Sequence, residues 1–166
     1  MASPPPSNPI ILTGSCACKH VQYTSTRLPD SIVNCHCTQC RKLSGGPYQS
    51  FAHFPAGSVT WTVPPTFRRS SEVGIRSFCP RCGSSMSMTY DFEPEHLGIV
   101  AGTIDDGGVV GEEMPRPKAH MFLREKAPWV ELPDDAAERW DAYIPDVEEA
   151  LRGLKARREE RAKEAS

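Results

Sequence analysis

Apolar residues recur at every second position in several short stretches between residues 10 and 132. Val21 and Tyr23 alternate with polar neighbours, and so do Val59, Trp61 and Val63. Met86, Met88 and Tyr90 form another such set, as do Leu97, Ile99 and Ala101. Alternation of this kind puts the apolar side chains of an extended segment on one face, so each stretch predicts a half-buried β-strand. Turn residues separate the stretches at Gly45-Gly46-Pro47, Pro55-Ala56-Gly57, Pro64-Pro65 and Asp105-Asp106-Gly107-Gly108. The last predicts a hairpin, because Asp and Gly tolerate positive φ. Two late strands are expected at residues 120–123 and 129–132. No repeat at a solenoid period is present.

Beyond Pro133 the period changes. Asp134 is placed to cap a helix through Ala137 and Trp140 to about Tyr143, where Pro145 interrupts it. A second helix is expected from near Asp146. Ile144, Val147, Leu151 and Leu154 recur at intervals of three, four and three, one apolar stripe able to dock on a sheet for about two turns. Residues 155–166 (KARREERAKEAS) then carry mostly charge, with Glu159 and Lys163 at the favourable i,i+4 spacing. They read as a solvated helix end, with a partner-binding or oligomerising helix as the alternative. The expected organisation is a short disordered leader over residues 1–9, a β domain over 10–133 and a helical extension over 134–166.

Composition narrows the class. At 166 residues the chain is the size of one domain with a real core, and sixteen prolines and twelve glycines argue against a mostly helical body. Lys+Arg 19 against Asp+Glu 21 gives a net charge of -2, which makes nucleic acid or an acidic membrane surface an unexpected partner. No apolar run approaches the roughly 18 residues of a membrane span. The first nine residues, MASPPPSNP, have no basic residue and no apolar stretch, so they do not read as a secretory signal. The default compartment is the cytoplasm, with the nucleus left open, where thiols stay reduced unless they bind metal or do chemistry.

The seven cysteines carry most of the chemistry. They fall into Cys16-Ala17-Cys18, then Cys35-His36-Cys37-Thr38-Gln39-Cys40, then Cys79-Pro80-Arg81-Cys82-Gly83. The third cluster reads as a zinc knuckle: two thiolates three residues apart grip one tetrahedral ion, proline pre-sets the turn, and Gly83 can take positive φ after it. A closed site needs two more ligands, which Cys16 and Cys18 can supply. Cys35, Cys37 and Cys40 then remain as a three-thiolate cluster with one coordination position open to water or substrate. The other partition, the knuckle with that trio, would leave Cys16 and Cys18 poorly used. A disulfide framework leaves one thiol over and strains the Cys-x-Cys loop. A thioredoxin-like site would want a βαβ pattern, which is missing. No four-cysteine run has ferredoxin spacing, which favours zinc over iron–sulfur.

These motifs, with Cys35–Gly45 reading CHCTQCRKLSG, Phe78–Ser84 reading FCPRCGS, a late His120-x-Phe122 and Pro128-Trp129, resemble the glutathione-dependent formaldehyde-activating enzyme / centromere protein V family. The resemblance covers roughly residues 10–133. It implies a zinc-containing β-tent fold, mainly β, of stacked antiparallel sheets. It implies a structural zinc on Cys16, Cys18, Cys79 and Cys82, and a second zinc on Cys35, Cys37 and Cys40.

An open zinc would hold a substrate thiol as thiolate near neutral pH, so the function expected is that of a carbon–sulfur lyase acting on a small thiol adduct, glutathione with formaldehyde being the family's example. Cys37 and His120 are the candidate catalytic residues, with His120 acting as acid/base or orienting a ligand. Arg41 and Lys42 directly follow the trio and are candidates to bind a substrate carboxylate. Ser44 and Tyr48 are candidates to line the pocket, whereas His36 should point away from the metal. The alternatives are a zinc-stabilised scaffold for protein or chromatin, or a family member diverted to another small electrophile. The partners expected are a small thiol or its adduct and no membrane, with a homo-oligomer left open.

Overall fold

A computed structural model of the chain describes residues 9–164. It holds twelve strands: β1 Leu12–Ser15, β2 Gln22–Ser25, β3 Ser31–Cys35, β4 Gln49–Pro55, β5 Val59–Val63, β6 Thr66–Arg69, β7 Gly74–Phe78, β8 Ser85–Tyr90, β9 His96–Val100, β10 Ile104–Val109, β11 Pro117–Met121 and β12 Glu138–Arg139. Two helices accompany them, α1 Thr38–Ser44 and α2 Pro145–Glu164. The expectation of a leader at residues 1–9 lies, apart from Pro9, outside the described residues. Among the described residues no helix is long and apolar enough to cross a membrane.

The strands form two sheets, ordered β10-β1-β2-β5 and β12-β11-β3-β4-β9-β8-β7-β6. The mainly β expectation holds, and neighbouring strands run antiparallel except where β11 lies parallel to β3 and β12 parallel to β11. The core lies between the sheets. Leu12 and Tyr23 from the smaller sheet, with Val21 just before β2, meet Ile32, Ala52, Phe54, Met86 and Ile99 from the larger. Tyr23 packs so closely over Gly14 that a Cβ there would stand 2.1 Å from the Tyr23 ring, so position 14 needs glycine for the approach itself. The Tyr23 hydroxyl is held by Thr103 at 3.0 Å.

Phe51, one residue out of phase with Ala52, points to the other face of the larger sheet. There it packs with Cys35, Cys40, Met88 and Val100 in a second, smaller cluster. Met86 and Met88 were expected on one face. Two residues of β8 oppose one step of β7 between Ser77 and Phe78, a bulge that leaves Met86 in the inter-sheet core and Met88 in the second cluster.

Other expectations fail for physical reasons. Asp105-Asp106-Gly107-Gly108 is no hairpin: it lies inside β10, where the register against β1 slips and Gly107 takes φ +71°. Residues 129–132 form no strand, and Trp129 is 75% exposed. The helix expected from Asp134 to Tyr143 is absent. Ala136 takes φ +57° and residues 138–139 pair with β11, so that segment's backbone hydrogen bonds go to the sheet rather than to a helix. The second helix forms as expected. Its stripe residues Val147, Leu151 and Leu154 are only half-buried, and none of its described residues is buried, so the docking is shallow. The expected solvated end is helical to Glu164.

Candidate metal centres

The topology gathers the cysteines into two groups. Cys16 and Cys18 sit in the turn between β1 and β2 of the smaller sheet, and Cys79 and Cys82 in the turn between β7 and β8 of the larger. Their four sulfurs lie within 4.8 Å of one another. Cys18 Sγ stands 3.6 Å from Cys16 Sγ and 3.8 Å from Cys79 Sγ. Sulfurs about 2.3 Å from a tetrahedral zinc are about 3.8 Å apart, so the donor set fits that ion. Local geometry supports the grip. Val21 N–H donates to Cys16 Sγ at 3.2 Å, and Gly83, at φ +76°, closes the knuckle with its N–H on Cys79 O at 2.9 Å. Lys19 makes the matching turn at φ +57°, its N–H on Cys16 O at 2.8 Å. Cys16 and Cys79 are buried, whereas Cys18 and Cys82 are exposed. The Ser84 hydroxyl and backbone beside Cys82 hold its thiol down at about 5.

Cys35, Cys37 and Cys40 form the second group, their sulfurs also within 4.8 Å of one another. Cys35 ends β3, Cys37 is the N-cap of α1, and Cys40 lies in its first turn. Cys37 Sγ accepts from Cys40 N–H at 3.4 Å, which fixes the two thiols on one side of the turn. The group is asymmetric: Cys35 and Cys40 are buried and Cys37 is half-exposed. Hydrogen bonds from Cys35 and then Cys40 hold the Cys37 thiol far below the ordinary range, and the same sharing pushes Cys35 up. Three thiolates suit zinc as well, but this group supplies one donor fewer than the other. The partition inferred from spacing is thus the one the fold brings together.

Arg76, which spacing gave no reason to single out, stands beside this group. Its side chain is buried on β7, with Nη2 donating to Cys40 Sγ at 3.2 Å and Nη1 to Gln49 Oε1 at 3.3 Å. Its guanidinium lies 5.6 Å from the centre of the Phe51 ring. Three thiolates around a dication would leave one negative charge, and Arg76 is a buried cation placed to balance it. The only signal in the sequence is an arginine inside an apolar strand.

His120 is fully buried on β11 and bonds His36, also fully buried, with Nδ1 2.9 Å from His36 Nε2. Its Nε2 donates to Asp135 Oδ2 at 2.9 Å, and that contact holds the Asp135 carboxyl down at about 2. In the tautomer whose Nε2–H meets Asp135, His120 Nδ1 accepts from His36 Nε2, which leaves His36 Nδ1 a bare acceptor; it has no partner and is buried. Burial pushes the His36 imidazole down to about 4. The Tyr48 ring lies tilted against His36, with the ring centres 4.9 Å apart. Asp135 thus fastens the segment after β11 to the turn that carries the trio. Asp135→Ala leaves His120 Nε2 buried without an acceptor, and is expected to cost about 1–3 kcal/mol in a urea titration of the metal-loaded protein. Parental stability in that variant would detach the segment from the histidine pair.

Arg41 turns back on its own turn, Nε donating to His36 O at 3.2 Å and Nη2 to Thr38 Oγ1 at 3.4 Å. Lys42 is exposed, and neither residue lines the two clefts nearby. Ser44 and Tyr48 do line one, an open cleft of about 460 Å³ that runs to Cys82 and Ser84. A smaller cavity of about 190 Å³ adjoins it, lined by Arg68, Arg76 and Gln49 among others.

The family model described as glutathione-dependent formaldehyde-activating enzyme matches residues 11–125. A Halomonas elongata protein, whose name assigns it provisionally to those enzymes, is 29% identical over 150 residues, covering 82% of this chain and 90% of that one. An uncharacterized lyase of Schizosaccharomyces pombe is 27% identical over 77 residues, 46% of this chain and 56% of that one. A crystal structure of a Rhodobacter sphaeroides protein superposes with a TM-score of 0.49 at 15% identity, over 78% of this chain and 99% of that one.

Proposed function

This chain belongs to the glutathione-dependent formaldehyde-activating enzyme family, and from that premise we propose that it makes or breaks a carbon–sulfur bond of a small thiol adduct at Cys35, Cys37 and Cys40. The observation that carries the reading is the difference between the two groups: four sulfurs in one, three in the other, with Cys37 half-exposed. Zinc bound to the trio would favour the ionised form of a thiol near neutral pH.

In the forward direction a thiol RSH and an aldehyde R′CHO give RS–CH(OH)R′. A sulfur lone pair forms the C–S bond, the carbonyl π pair moves to oxygen, and the thiol proton ends on that oxygen. The reverse step releases both reactants, and no oxidant or reductant is needed. The chain's own contribution is to assemble and orient. Cys37 faces the accessible side, Arg76 balances the charge of the trio, and Tyr48 with His36 walls off the turn. Glutathione with formaldehyde is the substrate pair the family description suggests. Seven thiols arranged in two groups that could hold metal suit a reducing compartment, the cytoplasm or nucleus.

Metal counting tests the reading. The purified protein is expected to hold two zinc ions per chain, one withdrawn readily by a chelator together with turnover and one retained with the fold. A single tightly held ion and an empty trio would favour the scaffold reading instead.

A further inference from the structure

Taking as its base the reading that a small thiol meets the trio, we propose that Arg68 and Arg76 form a carboxylate subsite for that thiol. The two arginines stand directly opposite each other in the antiparallel β6–β7 pair. Residues so placed share one face of the sheet about 5 Å apart at Cβ, and like charges there repel. An anion between them relieves the repulsion. Arg76 answers part of the demand through Cys40, but its Nε is buried without a partner. Arg68 forms no ion pair among the described residues. Both line the cavity of about 190 Å³, which no Asp or Glu enters.

That chemistry selects a carboxylate. The guanidinium fork matches a carboxylate with two parallel hydrogen bonds, and no Asp or Glu lines the cavity to compete for the arginines. Because Arg76 touches Cys40, a ligand whose carboxylate enters the subsite holds its other end near the three sulfurs. The class favoured is a thiol that carries a carboxylate a few bonds from its sulfur, over a simple alkyl thiol. Arg68 and Arg76 thus take the role that adjacency to the trio suggested for Arg41 and Lys42.

The test separates the subsite from the thiol reading. S-methylglutathione keeps both carboxylates and has no thiol to offer a metal, so its binding to the metal-loaded protein, followed by calorimetry, reports the subsite alone. Arg68 is exposed and touches no cysteine, so its variants should fold. Arg68→Gln is expected to weaken S-methylglutathione about tenfold, and Arg68→Glu to weaken it further, while the dimethyl ester binds all three proteins equally poorly. Equal affinity of the parent and both variants for S-methylglutathione, or no binding to the parent, overturns the subsite. Separately, glutathione added to the cobalt-loaded protein is expected to give a new sulfur-to-cobalt absorption band. Its absence would remove the thiol reading, while the affinities for S-methylglutathione would still decide the subsite.

Discussion

Cys82→Ser is expected to lose the folded state of the domain near neutral pH, or to lower its melting temperature by more than about 10 °C. Cys82 is exposed, so a serine there changes little in the core. What it removes is one of four donors that join the β1–β2 turn of the smaller sheet to the β7–β8 turn of the larger. Structural zinc in small domains contributes on the order of 10–16 kcal/mol, against the roughly 5–15 kcal/mol by which a whole domain stays folded. A four-sulfur clamp between sheets is therefore of the same size as the total stability. Cys79→Ser should be at least as severe, because Cys79 is fully buried and its replacement also sets a hydroxyl in the inter-sheet core. The measurement is a thermal melt by circular dichroism with metal content on the same samples. A cooperative melt within a few degrees of the parent, with the same metal content, would show that this group does not hold the sheets together.

Much of this site could be inferred from the sequence because its chemistry is local. Cysteine spacing of one or two residues fixes which sulfurs share a turn, and counting seven donors leaves one group of four and one of three. Alternation likewise found the strands around Tyr23, Trp61 and Ile99, whose apolar faces meet in one core. What escaped depends on which strands pair and in what register. Arg68 faces Arg76 only because the turn between β6 and β7 pairs them, and nothing about either residue alone says so. His120 meets His36 because β11 lies parallel beside β3, a pairing that no hairpin connection announces. Asp134 looked like a helix cap, yet the neighbouring Asp135 binds His120 and the backbone after it joins the sheet. In that last segment a partner in the sheet outweighs a local propensity.

Cys37→Ser is expected to lower turnover by at least about a hundredfold, more than a residue that merely orients a ligand, while the fold persists. The two halves of this expectation have separate causes. Cys37 caps α1, accepting from Cys40 N–H, and serine is among the best residues for that position, so the helix keeps its start. The hydroxyl does not ionise near neutral pH, so the same change removes the most readily ionised thiol of the trio. Cys40→Ser makes the instructive contrast. Cys40 is buried against Arg76, so its loss weakens a buried charge pair and should lower stability and turnover together. Cys37→Ser should instead keep a melting temperature within a few degrees of the parent and lose one metal ion per chain. Rates measured beside metal content and melts decide it: undiminished turnover in Cys37→Ser would move the chemistry away from these three sulfurs, because no other thiol of the chain lies in that group.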